Sequence, residues 1–216
     1  MKNLIGMWIQ TWSPGTNYPE GINAGIAFSG WTDITTALSN SKAIFDTLPP
    51  AKFLSLGGGN TAGHWTAEIL QANLQAINNG DIGDYWGVVF DCEEGDAGLA
   101  QDFEACFVAL KKLGKLVIVT VSHTGPYGFP DAGDFMTAIF ASSNIDYLSP
   151  QLYTNGNEPS NDYDAGVVQW SQWASTGIAI APSIVTANLY PDAQSWFKDK
   201  LNITLDGFIQ WENIKN

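Results

Sequence analysis

Short apolar runs alternate with segments of helix length along almost the whole of this 216-residue chain. Most runs are continuously apolar rather than alternating in polarity, which is typical of parallel strands buried on both faces. The runs are Asn3–Gln10, Asn23–Phe28, Lys52–Leu56, Gly87–Asp91, Leu116–Val121, Tyr147–Leu152, Ile178–Pro182 and Gly207–Trp211. Strands separated in this way predict an α/β fold, a compact (β/α)8 TIM barrel that takes residues 1–216 as a single domain. An open, doubly wound parallel sheet is the alternative.

Amphipathic segments with recognisable ends supply the helices of the predicted barrel. They are Ile34–Thr47, Trp65–Asn79, Leu99–Leu113, a segment from Asp131 or Asp134 to Ser142, Ala165–Ser175 and Asp192–Leu201. Asp33 is placed to cap the first of them, and Gly80 to end the second in a left-handed conformation. The connection Thr11–Ile22 is short and holds two prolines, so we expect a loop in place of the first barrel helix. The sequence stops soon after the last strand, which predicts that the last helix is absent.

The charge balance restricts the class of partner. The chain has 22 Asp and Glu against 9 Lys, no Arg, and a net charge of −13. Nucleic acids and anionic membranes are poor partners for such a surface, because both are bound mainly through Lys and Arg. We therefore expect a neutral or cationic substrate, and a monomer.

Several features argue against export signals, membrane spans and metal chemistry. No apolar stretch approaches the roughly 18 residues of a membrane helix. The first residues show no signal peptide, which leaves three expectations open: secretion after removal of a leader, a cytoplasmic location, or release without a leader. Cys92 and Cys106 have no metal or redox spacing, and His64 and His123 stand far apart, so we expect reduced buried thiols, no metal and no cofactor.

Two carboxylates close the most apolar of the predicted strands. In a parallel barrel, the active site is built from the carboxyl ends of the strands and the loops after them. Asp91 and Glu93 are two residues apart on extended backbone, so both should project to one face, about 6.6 Å apart along the strand. Val89 lies on that face, below them. Val88, Phe90 and Cys92 should point towards the helices instead.

A close carboxylate pair suits the chemistry of glycoside hydrolysis. One carboxyl group can stay protonated and donate a proton to the leaving oxygen, while the other stabilises positive charge on the sugar. Solvated acids in an ordinary loop are the other interpretation of the pair. The position at the end of an apolar strand favours the catalytic interpretation, because charges placed there are costly.

Four motifs together resemble glycoside hydrolase family 18, the chitinases and endo-β-N-acetylglucosaminidases. Gly87-Val88-Val89-Phe90-Asp91-Cys92-Glu93 is similar to the fourth-strand signature D-G-x-D-x-D-x-E, and Ser55-Leu56-Gly57-Gly58 to the third-strand S-x-G-G. Gln151-Leu152-Tyr153 is similar to the sixth-strand element Q-x-Y, and Trp211 stands where the family has an eighth-strand Trp. The motifs occur in family order over nearly the whole chain.

The resemblance implies a retaining mechanism in which the N-acetyl oxygen of the substrate attacks the anomeric carbon. Glu93 would be the general acid and then the base, and Asp91 would orient the acetamido group. Tyr153 would donate a hydrogen bond to the N-acetyl carbonyl. Gln151 would position the same sugar, and Trp211 would stack beneath it. The implied substrates are β-1,4-linked N-acetylglucosamine polymers such as chitin, or N-acetylglucosamine-containing glycans.

The sequence departs from the family signature at two positions. Trp86 stands in place of the first Asp and Val89 in place of the second. In the family the second Asp lies below the third and exchanges a proton with it, so Asp91 loses this partner. The hydroxyl group of Ser55 or Ser122 is a candidate to replace this missing partner of Asp91.

Other residues at strand ends are candidates for binding or for local structure. The predicted sugar platforms are aromatic side chains, namely Trp8, Trp12, Trp31, Trp65, Tyr127 and Tyr190. Simple packing is the alternative for each of them. Asp96 is expected to cap the helix that follows Glu93, and Glu94 to face away from the pair. His64 and His123 are expected to be hydrogen-bonded loop residues.

The function predicted from these motifs is hydrolysis of N-acetylglucosamine polymers or glycans. One alternative is a non-catalytic protein of the same fold, namely a carbohydrate-binding lectin, a storage protein or an inhibitor. A second alternative is a lysozyme-type barrel with a similar Asp-x-Glu pair.

Overall fold

All strand pairings of the sheet are parallel in the computed structural model, which describes residues 3–14 and 18–211. The strands are β1 Leu4–Gln10, β2 Ala24–Phe28, β3 Ala51–Gly57, β4 Gly87–Asp91, β5 Leu116–Ser122, β6 Tyr147–Gln151, β7 Ala179–Ile180, β8 Ser183–Ile184 and β9 Gly207–Gln210. Consecutive strands from β1 to β6 are neighbours, and β9 pairs with β1. The sheet therefore closes, which confirms the (β/α)8 barrel and excludes the open sheet.

The seventh position of the barrel is shared by two short strands. β7 pairs with β6, whereas β8 pairs with both β6 and β9. The single strand predicted at Ile178–Pro182 is therefore wrong in detail. Pro182 lies between the two pieces and has no N–H to donate, so the ladder is interrupted there, although its carbonyl still accepts from Ile209 N at 2.9 Å.

Six α-helices connect the strands. They are α1 Ile34–Ser41, α2 Ala67–Asn79, α3 Ala100–Lys112, α4 Ala132–Ala141, α5 Trp170–Trp173 and α6 Tyr190–Leu201. The predicted caps are confirmed, because Asp33 accepts from Thr36 N at 2.7 Å and Gly80 ends α2 at a φ of 80°. None of these helices is long and apolar enough to span a bilayer, within the part of the chain that the structure describes.

Several predicted boundaries need correction. The first predicted helix ends at Ser41, and a 3-10 turn at Phe45–Thr47 replaces its second half. The helix predicted at Ala165–Ser175 shrinks to α5, because the preceding chain is held in a loop. The described parts of the β1–β2 connection, 11–14 and 18–23, hold no helix, as expected. The predicted absence of a last helix concerns residues that lie outside the described ranges.

The barrel has two apolar layers, one inside the sheet and one between the sheet and the helices. Trp8, Phe53, Val89, Ile118 and Ile209 belong to the interior layer. The outer layer includes Val88, Phe90 and Cys92, together with the buried faces of the helices. The predicted orientation of β4 is thus confirmed. It places Asp91 on the inside of the barrel, one layer above Val89.

Candidate active site

Asp91 is the last residue of β4, and its backbone is held in place by residues of neighbouring loops. The indole Nε1 of Trp65 donates to the carbonyl of Asp91 at 3.0 Å. A Cβ at Gly57 would lie 2.1 Å from the same carbonyl, and the φ of Gly57 is +98°. Only glycine allows both the close approach and this backbone conformation. The Ser-x-Gly-Gly motif therefore shapes the site rather than supplying reactive groups.

The carboxyl groups of Asp91 and Glu93 converge on one side chain. Gln151, at the end of β6, donates from Nε2 to Asp91 Oδ1 at 3.0 Å and to Glu93 Oε1 at 3.2 Å. Asp91 is buried and Glu93 is half-buried. The amide of Gln151 thus joins the two carboxyl groups in one hydrogen-bonded cluster.

Burial is the main cause of the altered acidity of Asp91. It raises the pKa of this carboxyl well above its usual range, and the negative charge of Glu93 raises it further. The amide of Gln151 acts in the opposite direction, because it donates to the ionised form. Neither Ser55 nor Ser122 replaces the missing carboxylate: the Ser55 hydroxyl has no partner among the described residues, and Ser122 contacts His123 Nδ1 at 3.2 Å.

Tyr153 lies beside the cluster and keeps its proton. Burial raises the pKa of its phenol, and the charges of Asp91 and Glu93 raise it further. The hydroxyl is hydrogen-bonded to Ser183. Ser183 Oγ also accepts from Trp8 Nε1 at 3.0 Å and lies 3.0 Å from Ser149 Oγ. These polar groups lie near Tyr153, whose raised pKa keeps the phenol protonated and able to donate a hydrogen bond.

These groups line one cleft of about 520 Å³ at the carboxyl end of the barrel. Its aromatic walls are Trp8, Trp12, Phe28, Tyr153 and Trp211. The rings of Tyr153 and Trp211 stack at 6.1 Å with an interplanar angle of 27°. Trp12 is 62% exposed, so its ring is available to a ligand. The cleft thus combines carboxyl groups, a phenol and flat apolar faces.

Some of the predicted platforms lie elsewhere. Trp31 and Tyr127 are exposed but do not line this cleft, and the Tyr127 hydroxyl donates to Glu94 Oε1 at 2.9 Å. For Trp65 the packing alternative holds, because its ring is completely buried. Tyr190 is half-buried and packs against Phe208, on the helix side of the sheet.

Two further predictions about loop residues can be judged from the contacts. Asp96 does not cap α3, because its carboxylate binds His64 Nε2 at 3.0 Å. His123 lies 3.2 Å from Asp162 Oδ2, so both histidines are partnered loop residues, as expected.

Cys92 and Cys106 are free and buried, also as expected. Within residues 3–14 and 18–211, no cluster of three or more His, Cys, Asp or Glu could hold a metal ion.

The motifs did not identify every polar residue of the site. Ser29, Asn60, Thr154 and Asn155 also line the cleft, and Ser183 supports Tyr153 from below. Ser183 continues the inward-facing series of Ala179 and Ala181. The alternation of inward and outward side chains along residues 179–183 was therefore the sequence signal that could have identified Ser183 as an interior residue.

No protein-family model and no curated protein sequence matches the chain. Among solved structures, it is similar to the spore cortex-lytic enzyme SleL of Bacillus megaterium QM B1551, with a TM-score of 0.45 and 11% identity. That match covers 85% of this chain but only 51% of SleL, about half its length. It is also similar to the homocysteine methyltransferase MmuM of Escherichia coli, with a TM-score of 0.42, 13% identity, and coverage of 88% and 74%. Likenesses this distant say nothing about the chemistry of the site.

Proposed function

We propose that this protein is a retaining glycoside hydrolase that cleaves β-1,4-linked N-acetylglucosamine polymers or glycans with the help of the substrate's own N-acetyl group. The observation that carries the proposal is the shared hydrogen bonding of Asp91 and Glu93 to Gln151, at the base of an aromatic cleft. Two carboxyl groups that share one amide donor between flat apolar walls suit acid–base cleavage of a bound sugar.

In the proposed reaction, the proton of Asp91 first passes to Glu93, which gives it to the glycosidic oxygen as the acetamido oxygen attacks the anomeric carbon and the glycosidic bond breaks. Asp91 orients the acetamido nitrogen, and Tyr153 donates to its carbonyl oxygen as that oxygen bonds to carbon. Glu93 then takes a proton from the water that opens the cyclic intermediate. Trp211 lies beneath the reacting sugar, and no cofactor is required.

The test is hydrolysis of a chitin oligosaccharide and of an N-glycan by the wild type and by Glu93→Gln. We expect the wild type to release products with retained β configuration, and the variant to lose about 10²–10⁴-fold in rate. Glu68→Gln is the matched control, because Glu68 is an exposed glutamate on α2. Equal rates of hydrolysis by the wild type and by Glu93→Gln would contradict the proposed role of Glu93 as the general acid and base.

A non-catalytic glycan-binding protein is the second candidate, and Val89 favours it. This side chain is completely buried below Asp91, so no second carboxylate can exchange a proton with Asp91 from beneath. Binding of chitin oligosaccharides by the wild type, with no product after prolonged incubation, would select this candidate over the hydrolase.

A further inference from the structure

The lysines of the described residues lie at one end of the barrel, whereas acids lie at both ends. We define the mouth loops as the segments that follow the strands at their carboxyl ends: 11–14, 29–33, 58–66, 92–99, 123–131, 152–169 and 185–189. Their ionisable acids are Asp33, Glu93, Glu94, Asp96, Asp131, Glu158, Asp162 and Asp164. These mouth loops contain no lysine.

The lysines of the described residues all lie at the other end. They lie in the last turns of helices, just after a helix, or near the start of a strand, and they are Lys42, Lys52, Lys111, Lys112, Lys115, Lys198 and Lys200. Within these mouth loops the possible cations are His64 and His123, and each of them lies beside an aspartate. The described mouth loops therefore present acids without a lysine to balance them.

Helix dipoles explain only part of this arrangement. Lysines in the last turns of α3 and α6 complement the helix carboxyl ends. Glu93, Glu94 and Glu158, in contrast, lie in loops outside any helical first turn. Glu158 accepts from the backbone N–H groups of Thr154 and Asn155, which line the cleft, and Glu94 adjoins Glu93. The carboxylate of Glu158 is thus held beside residues that line the cleft, whereas that of Glu94 lies further out, against Tyr127.

A buried polar group that lacks a partner independently indicates that a polar ligand occupies the cleft. Ser29 lines the cleft, is only 7% exposed, and its hydroxyl has no hydrogen-bond partner among the described residues. A buried hydroxyl without a partner is unfavourable, and a ligand amine or hydroxyl would satisfy it.

We infer that the cleft selects cationic glycans: N-acetylglucosamine polymers in which some units carry a free amine instead of an acetamide. This inference rests on the proposed function and specifies its substrate class. The reacting sugar keeps its acetyl group, because that group supplies the attacking oxygen. Ammonium groups on the flanking sugars lie in the negative field of the mouth. Carboxylate-bearing glycans are repelled by the same field.

The experiment measures binding to the Glu93→Gln protein, which cannot consume its ligand under the proposed mechanism. The probes are a fully acetylated chitin hexasaccharide, a partly deacetylated hexasaccharide and a hyaluronan hexasaccharide, at a mildly acidic pH where the free amines are charged. We expect the cationic probe to bind about 5–10-fold more tightly than the neutral one at low ionic strength, and this ratio to approach one in high salt. The anionic probe should bind most weakly.

Two charge-neutralising variants, made in the same background, locate the effect. Glu94→Gln should weaken binding of the cationic probe several-fold and leave binding of the neutral probe unchanged. Asp199→Asn, an exposed acid on α6 at the opposite end, removes the same charge and should change neither. Equal affinity for the cationic and neutral probes at low salt, or equal effects of the two variants, would overturn the inference while leaving the proposed hydrolase intact. If no probe binds and the wild type cleaves none, the proposed function fails as well.

Discussion

Gln151 binds both Asp91 and Glu93 through a single amide nitrogen, at 3.0 and 3.2 Å. A carboxamide at this position supplies positive electrostatic character without adding a titrating group to the pair. Gln151 is only 6% exposed, so a water molecule could not readily take the place of its amide. Gln151 therefore contacts Asp91 from β6, whereas Val89 occupies the position below Asp91.

Removal of this amide should reduce catalysis more than stability. Gln151→Leu leaves both carboxyl groups without their shared donor, and hydrogen bonds to charged groups contribute about 1.5–3 kcal/mol. We expect kcat/KM on a chitin oligosaccharide to fall by about 10–100-fold. Gln101→Leu, at an exposed position of α3, is the control and should retain wild-type kinetics. An unchanged kcat/KM in Gln151→Leu would contradict a role for the shared donor.

Gly59 holds the space into which Glu93 projects. A Cβ at this position would lie 2.6 Å from Glu93 Oε2 and 2.6 Å from the Tyr127 hydroxyl. Gly59→Ala should displace the carboxyl group of Glu93, the proposed general acid, and lower kcat by at least about 10-fold, since displacements of an ångström are costly in catalysis.

The matched control for this change is Gly133→Ala on α4, where an added Cβ meets nothing within 4 Å. Thermal unfolding should show both variants folded. If the kcat of Gly59→Ala equalled that of the wild type, Glu93 would have a second position from which it can act.

Asp91 should make the stability of the fold depend on pH. Because its pKa is raised in the folded protein, the folded state retains a proton that the unfolded chain loses above about pH 4. Its contribution to the free energy of unfolding is therefore full below that pH and declines as the pH rises towards the folded pKa.

Asp91→Asn removes this titration. We expect the difference in unfolding free energy, variant minus wild type, to increase between pH 4 and pH 7 in urea titrations. A constant difference over that interval would show that Asp91 titrates alike in both states. Activity should be lost in the variant at every pH, because the amide cannot exchange a proton with Glu93.

Trp211 should contribute binding energy through its exposed ring face. Its ring stacks on Tyr153 and lies 5.4 Å from Phe28, so its orientation is fixed before a sugar arrives. Trp211→Ala should raise KM by about 2–10-fold, since aromatic contacts of this kind contribute about 0.5–1.5 kcal/mol beyond area burial. Trp86→Ala is the control, because Trp86 is 52% exposed at the opposite end of the barrel. Equal KM values for the two variants would place the sugar elsewhere.

The barrel and the orientation of β4 could be predicted because each depends on local pattern. Continuous apolar runs indicated parallel strands, and the period of two placed Val89 inside and Val88 outside. The convergence of Asp91, Glu93 and Gln151 followed from strand order, since the carboxyl ends of parallel strands meet at one mouth. Their roles in catalysis stay predictions.

The errors and the alternatives left open concern features that are decided by contacts between distant segments. Trp65 resembles a platform in the sequence, yet its indole supports the Asp91 carbonyl, 26 residues away. Asp96 looks like a helix cap, but His64 binds it from another loop. The partnerless hydroxyl of Ser29 has no signature in the sequence, because only the folded cleft shows that it lacks a partner.

Because the seventh strand is divided, the number of paired residues between neighbouring strands varies around the barrel. Where β4 and β5 share five paired residues, β8 and β6 share one, and β7 and β6 share two. Few interstrand bonds therefore join the segment that carries Ser183 to its neighbours, and this segment supports both Tyr153 and Trp8. Amide hydrogen exchange should be fastest along this seam. The wall behind Tyr153 and Gln151 is therefore the one with the fewest strand pairings, and we expect local unfolding of the barrel to begin there.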